Sequence, residues 1–192
     1  QSTVEVDGVD SIANKVESSS NIDVAVASKD TVPKKSIELS FDEERKRRME
    51  YGRKRVADQV KGYPDSLIVS WERGGCYGRC AIYKVRIYKS GYTEYEGIRW
   101  AQHEDTVHAL FFTEKEIGSI ISKAKAIDFF ELESFYDSGA SDLPPMFLYV
   151  NDGSVKKGIR DRLDGPMELK NFVKELDTLL MEKTANLPQK TE

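Results

Sequence analysis

The stretch Gly74-Gly75-Cys76-Tyr77-Gly78-Arg79-Cys80 holds both cysteines of the chain. Two cysteines four residues apart in a glycine-rich turn support three chemistries. The first is a disulfide. A bridge needs its Cα atoms about 4.4–6.8 Å apart, and the glycines let the loop turn back that far. So short a closed loop adds at most about 2 kcal/mol of stability. The second is thiol–disulfide exchange. Its usual spacing is Cys-x-x-Cys at a helix N-terminus, where the helix dipole lowers the thiol pKa. Here the spacing is one residue longer and a strand pattern follows, although Arg73 and Arg79 favour a thiolate. The third is zinc, which takes four Cys, His or carboxylate ligands in a structural site. Cys76 and Cys80 would have to join His103 and His108, the two histidines. Between Cys80 and His103 lie 22 residues, against about 12–15 in a zinc finger. The histidines flank Glu104-Asp105, which reads as a polar loop. In an exported protein the staple is the default, with the redox pair and the zinc module as alternatives.

Aromatic residues crowd the segment after the cysteines: Tyr83, Tyr88, Tyr92, Tyr95 and Trp100. Some fill the core as cross-strand pairs. Tyr88, Tyr92 and Trp100, with Tyr77 and Arg79 of the turn, form the candidate binding surface, because exposed aromatics mark partner sites. Glu131, Glu133, Asp137 and Asp142 read as a solvated acidic turn without EF-hand spacing. No nucleophile elbow frames a serine, so no catalytic residue, cofactor or metal site is assigned. Arg45-Lys-Arg-Arg48 and Arg53-Lys-Arg55 place seven basic residues within eleven positions. That run reads as a solvated helix that contacts the domain's own acidic face.

The chain has 192 residues, with net charge −4 and a pI near 5.4. That balance argues against a nucleic-acid partner. No apolar run reaches the ~20 residues of a membrane-spanning helix. The chain begins at Gln1, which fits a processed, exported protein of the periplasm or cell surface. No lipid-anchor cysteine stands at its start, so no membrane tether is visible. An unidentified protein or small ligand is the expected partner.

Four segments emerge. Residues 1–39 lack aromatics and sustained period, and are expected to be a flexible tail. Residues 40–61 form a charged helix opened by the capping box Ser40-Phe41-Asp42-Glu43. Residues 62–184 form the domain, and 185–192 a polar tail. Within the domain, 66–71, 81–88 and 92–98 read as strands, the last two joined at Lys89-Ser90-Gly91. Thr113-Glu-Lys-Glu116 caps a helix with Ile117, Ile120, Ile121 and Ala124 on its apolar face. Residues 128–136 form an apolar turn or short helix. Residues 146–150 and 154–160 pair across Asp152-Gly153, and Gly165-Pro166 opens the last helix. The order β-β-β-α-β-β-α predicts an α+β domain. It has an antiparallel sheet of about five strands with helices packed on one face.

The Cys76-Tyr-Gly-Arg-Cys80 turn, Tyr83, the Gly-turn hairpin and Tyr95-Glu96-Gly97 form a recognisable set. The Thr-capped helix, a Phe-Phe pair, Asp142-Leu-Pro144, Asp152-Gly153 and the Gly-Pro helix start complete it. Together they resemble the domain-of-unknown-function family 6438 over about residues 66–183. That family's hallmark is roughly G-x-C-[FY]-G-x-C-P-x-Y, and this chain carries Ala81 in place of the proline. The resemblance implies an exported bacterial domain of this fold. It implies no catalytic residue.

Overall fold

The computed structural model describes residues 40–137 and 139–187. The expected tail at 1–39 and residues 188–192 lie outside the described residues. The elements run α1 (Phe41–Gly62), β1 (Leu67–Arg73), β2 (Ile82–Tyr88), β3 (Tyr92–Arg99) and β4 (Thr106–Phe111). Then come α2 (Glu114–Ala126), β5 (Phe135–Tyr136), β6 (Met146–Asn151), β7 (Lys156–Asp161) and α3 (Met167–Thr184).

Both capping boxes form. Ser40 Oγ accepts from the Glu43 amide at 3.4 Å, and Glu43 returns a carboxylate to the Ser40 amide at 2.9 Å. Thr113 and Glu116 do the same at 3.2 and 2.7 Å. Each box satisfies donors that a helix start otherwise leaves unpaired.

The strands form one mixed α+β sheet in the order β4-β3-β2-β1-β6-β7-β5. Every pair is antiparallel except β5 with β7. The sheet therefore has seven strands rather than about five. The two additional strands carry little periodic signal. In β4 the alternation runs against burial: Val107, Ala109 and Phe111 face solvent, while Thr106, His108 and Leu110 are half-buried. β5 has only two residues, too few to show a period.

The helices are not confined to one face. α2 and α3 pack Ile117, Ile120, Ala124, Leu169, Phe172 and Leu176 against Trp71, Val85, Leu148 and Ile159. α1 covers the opposite face, where Val56 meets Leu67, Phe135, Phe147 and Tyr149. The reason lies in β6, Met146-Phe-Leu-Tyr-Val-Asn151, which is buried at every position. Alternating side chains point to opposite faces. A strand apolar at odd and even positions therefore needs cover on both. Glycines set how closely α1 approaches. A Cβ on Gly158 would lie 2.6 Å from Val60, and one on Gly52 2.3 Å from the Phe135 ring.

Over β2 and β3 that same face stays outside α1's cover and is ruled by charge. Lys84 stands opposite Glu96 and Arg86 opposite Glu94, the last pair 3.7 Å apart. Such cross-strand pairs suit a solvated face.

Two glycine substitutions separate contact from propensity. Gly52→Ala drives a methyl into Phe135 and is expected to destabilise the fold by about 1–3 kcal/mol. Gly118→Ala, in α2 with open space around it, is expected to stabilise by about 0.5–1 kcal/mol. Urea unfolding of both variants checks the pair; equal effects would mean that α1 does not lie against Phe135.

Candidate functional site

β1 ends at Arg73, and the glycine-rich turn carries the chain back into β2. Cys76 and Cys80 are joined by a disulfide with Cα atoms 5.8 Å apart. Main-chain bonds tie the turn to the loop before β6: Gly74 N–H donates to Pro145 at 2.8 Å and Tyr77 N–H to Asp142 at 3.2 Å. Gly74 is required there, since a Cβ would lie 2.7 Å from the Pro145 ring. The tip is exposed, and Tyr77 is 95% accessible. Arg79 stacks on Trp100 with its guanidinium carbon 5.0 Å from the ring centroid, and Arg99 flanks the same ring at 5.7 Å.

Trp100 belongs to the β3–β4 connection, which is itself over-determined. Trp100, His103 and Asp105 adopt the left-handed region with φ of 54°, 53° and 56°. That conformation costs roughly 1–2 kcal/mol per non-glycine residue. Several bonds hold it. Tyr95 Oη donates to the Gln102 carbonyl at 2.5 Å, and Thr184 Oγ1 donates to Gln102 Oε1 at 2.5 Å. His103 Nε2 lies 3.3 Å from the Thr184 carbonyl. Gly97 permits the fold-back, because a Cβ would sit 2.6 Å from the carbonyls of Gln102 and His103. Backbone strain of this kind clusters where a side chain must be presented.

Under the turn lies a polar hub that the sequence reading missed. Asp177 of α3 accepts from Trp71 Nε1 at 3.2 Å, Arg73 Nε at 3.2 Å and Tyr83 Oη at 2.5 Å. Arg73 Nη2 makes a further ion pair with the same carboxylate. Burial, then the Asp177 carboxylate, pushes the Tyr83 phenol above its ordinary range. Burial also pushes Tyr95 up to about 12. The available signal was an arginine two residues from a core tryptophan on one strand. A partly buried cation there favours an acidic partner.

The remaining sequence candidates fall elsewhere. Tyr88 and Tyr92 stack with centroids 5.9 Å apart at the other end of the β2–β3 hairpin. The length of β2 places them about 20 Å from the cysteine turn. Tyr77, Arg79 and Trp100 thus make one patch, and Tyr88 with Tyr92 another. The His103 and His108 rings meet edge to face with centroids 4.8 Å apart, and both cysteine sulfurs are committed to the bridge. Among the described residues, no group of three or more His, Cys, Asp or Glu could hold a metal ion. Of the acidic set, Glu133 pairs with Arg53 at 3.0 Å and Asp137 accepts from the Gly139 amide at 2.8 Å. No helix among the described residues is long and apolar enough to cross a membrane.

The sequence profile of the domain of unknown function DUF6438 matches residues 67–180, and the chain belongs to that family. α1 precedes the matched region. No curated protein matches the sequence.

Asp177→Ala strands Arg73 and is expected to cost about 2–4 kcal/mol, whereas Tyr83→Phe costs about 1 kcal/mol; denaturant titrations measure both. Alkaline pH gives a second check. An unfolded phenol loses its proton near pH 10, while folded Tyr95 keeps its own to about 12 and Tyr83 is raised as well. The folded state then binds more protons, so stability falls as pH rises through this window. The unfolding midpoint followed with phenolate absorbance should decline from about pH 10 upward, and a flat profile would contradict the buried hydroxyls.

Proposed function

We propose that this member of the DUF6438 family is a non-enzymatic binding module of an exported compartment, the periplasm or cell surface. Its contact surface is the bridged turn, offered to a protein partner. The observation behind this is the convergence of Tyr77, Arg79 and Trp100 on a turn held by a disulfide, two main-chain bonds and a cation–π stack. Tyr, Trp and Arg are the residue types that dominate interface energetics. A pre-ordered turn also loses little entropy on binding. With Arg79 and Arg99 flanking Trp100, the complementary partner offers carboxylates around an apolar pocket. Export is supported by the bridge itself, because disulfides persist in oxidising compartments.

One observation favours a second reading, thiol–disulfide exchange. Gly75, Tyr77, Gly78 and Arg79 around the bridge are exposed, so an attacking thiolate has access. Against it, Cys80 leads into β2 and no helix dipole activates a thiol there.

The test places a photo-crosslinking residue at Tyr77 in cells that make the protein, with a control at exposed Val155. The expected result is a discrete adduct from position 77 that Trp100→Ala weakens about tenfold or more, and none from position 155. Alongside, purified protein is assayed for catalysis of thiol–disulfide exchange. Turnover that Cys76→Ser abolishes would replace the binding reading with the redox one.

A further inference from the structure

Independently of the turn, we propose that the cleft between α1 and the β5–β7 edge binds a small, multiply charged oxyanion. The ligand class is a phosphate ester, diphosphate or polycarboxylate. The cleft measures about 470 Å³, within the range of small-molecule sites. Arg48 and Arg55 of α1 face it two turns apart on one helical stripe, with Tyr51 between them. From the sheet come Arg160 and Arg162. In β7 Arg160 shares the face of Gly158, which lies against Val60 of α1, and Arg162 follows directly after the strand and lines the same cleft.

These four guanidiniums share their walls with a single carboxylate, Asp137. One Asp137 oxygen already accepts from the Gly139 amide. Arg48, Arg55, Arg160 and Arg162 make no salt bridge among the described residues. Arg162 Nη1 donates to the Ala140 carbonyl at 3.0 Å, but its Nε is buried without a partner. Gly139, with φ of 85°, makes room for Arg48, whose Nη1 would lie 2.5 Å from a Cβ there. Burial, then the charges of Arg55 and Arg162, lower the pKa of Arg160. Like charges gathered in a partly desolvated place cost stability unless a counter-charge arrives. The gathering is local, since the chain as a whole carries −4.

Arginine forks suit phosphate and carboxylate oxygens, which they grip in pairs. Arg160 and Arg162 are half-buried and Arg48 and Arg55 exposed, so charge converges on one cleft from both of its walls, an arrangement that suits a compact anion. Tyr51, 63% exposed, stands at the rim with the Arg55 guanidinium carbon 6.0 Å from its ring centroid, which helps to hold Arg55 at the cleft. Because α1 precedes the region that the family profile matches, the arginine pair that it contributes comes from outside that region.

The experiment is calorimetric titration of the full chain with pyrophosphate at low ionic strength. Parallel titrations with inorganic phosphate and citrate separate phosphate from carboxylate ligands. One saturable site is expected, with a ligand-dependent rise in the unfolding midpoint. Arg160→Gln should weaken binding about tenfold or more. Arg55→Gln on exposed α1 should do likewise without lowering the unfolding midpoint. Arg53→Gln, which removes the partner of Glu133 outside the cleft, should leave binding intact. Absence of saturable binding to all three anions overturns the proposal. So does binding that neither Arg160→Gln nor Arg55→Gln weakens. Binding confined to duplex DNA or to anionic phospholipid vesicles overturns it equally.

Discussion

The pairing of β1 with β6 is the constraint on which the rest depends. It joins residues 69–73 to residues 146–150 and so stitches the β1–β4 part of the sheet to the β6–β7 hairpin. Closing so long a loop is entropically costly, and it succeeds only when buried contacts reward it. Those contacts come from both faces. Trp71 and Leu148 meet α2 and α3 on one side, and Leu67, Phe147 and Tyr149 meet α1 on the other. The same pairing sets the functional geometry. The cysteine turn leaves β1 where the 142–145 loop enters β6, and that is why Gly74 and Tyr77 find Pro145 and Asp142 within bonding distance.

The two ends of this architecture solve opposite problems. At the turn the backbone is restrained by the disulfide and by the main-chain bonds to Pro145 and Asp142. Fixing a loop in advance favours association with something large, because less order must be created on contact. At the α1 cleft the charge is left open. A site of that kind favours a small counter-ion that completes the electrostatics.

Local signals in the sequence translated well. The Ser40 and Thr113 capping boxes are read from residue type and spacing alone, and the 82–99 hairpin follows from its alternation and Gly91. Non-local features did not. The inverted pattern of β4 hides a strand whose outer residues are the more apolar ones. The side on which α1 packs depends on Phe147 and Tyr149, which are a hundred residues downstream. Asp177 sits among the leucines of α3 and declares its role only when Trp71, Arg73 and Tyr83 converge on it. The five residues of the candidate surface were adjacent by type. β2 nevertheless separates them by its own length into two patches.

Arg73 and Arg160 make the functional argument by contrast. Both are sheet arginines, both are partly desolvated, and each lies beside a helix. Arg73 meets a carboxylate on α3, donating from Nε and Nη2 to the same Asp177 oxygen. Arg160 faces Arg48 and Arg55 across the cleft, with Asp137 in the same wall and Glu72 nearby, and makes no ion pair among the described residues. A chain with more acidic than basic residues has carboxylates to spare for pairing. The first arginine needs nothing further and serves to lock α3 onto β1. The second retains unspent bonding capacity at the wall of a cleft, and that asymmetry is what marks the α1 face, rather than the hub, as a place where a ligand can act.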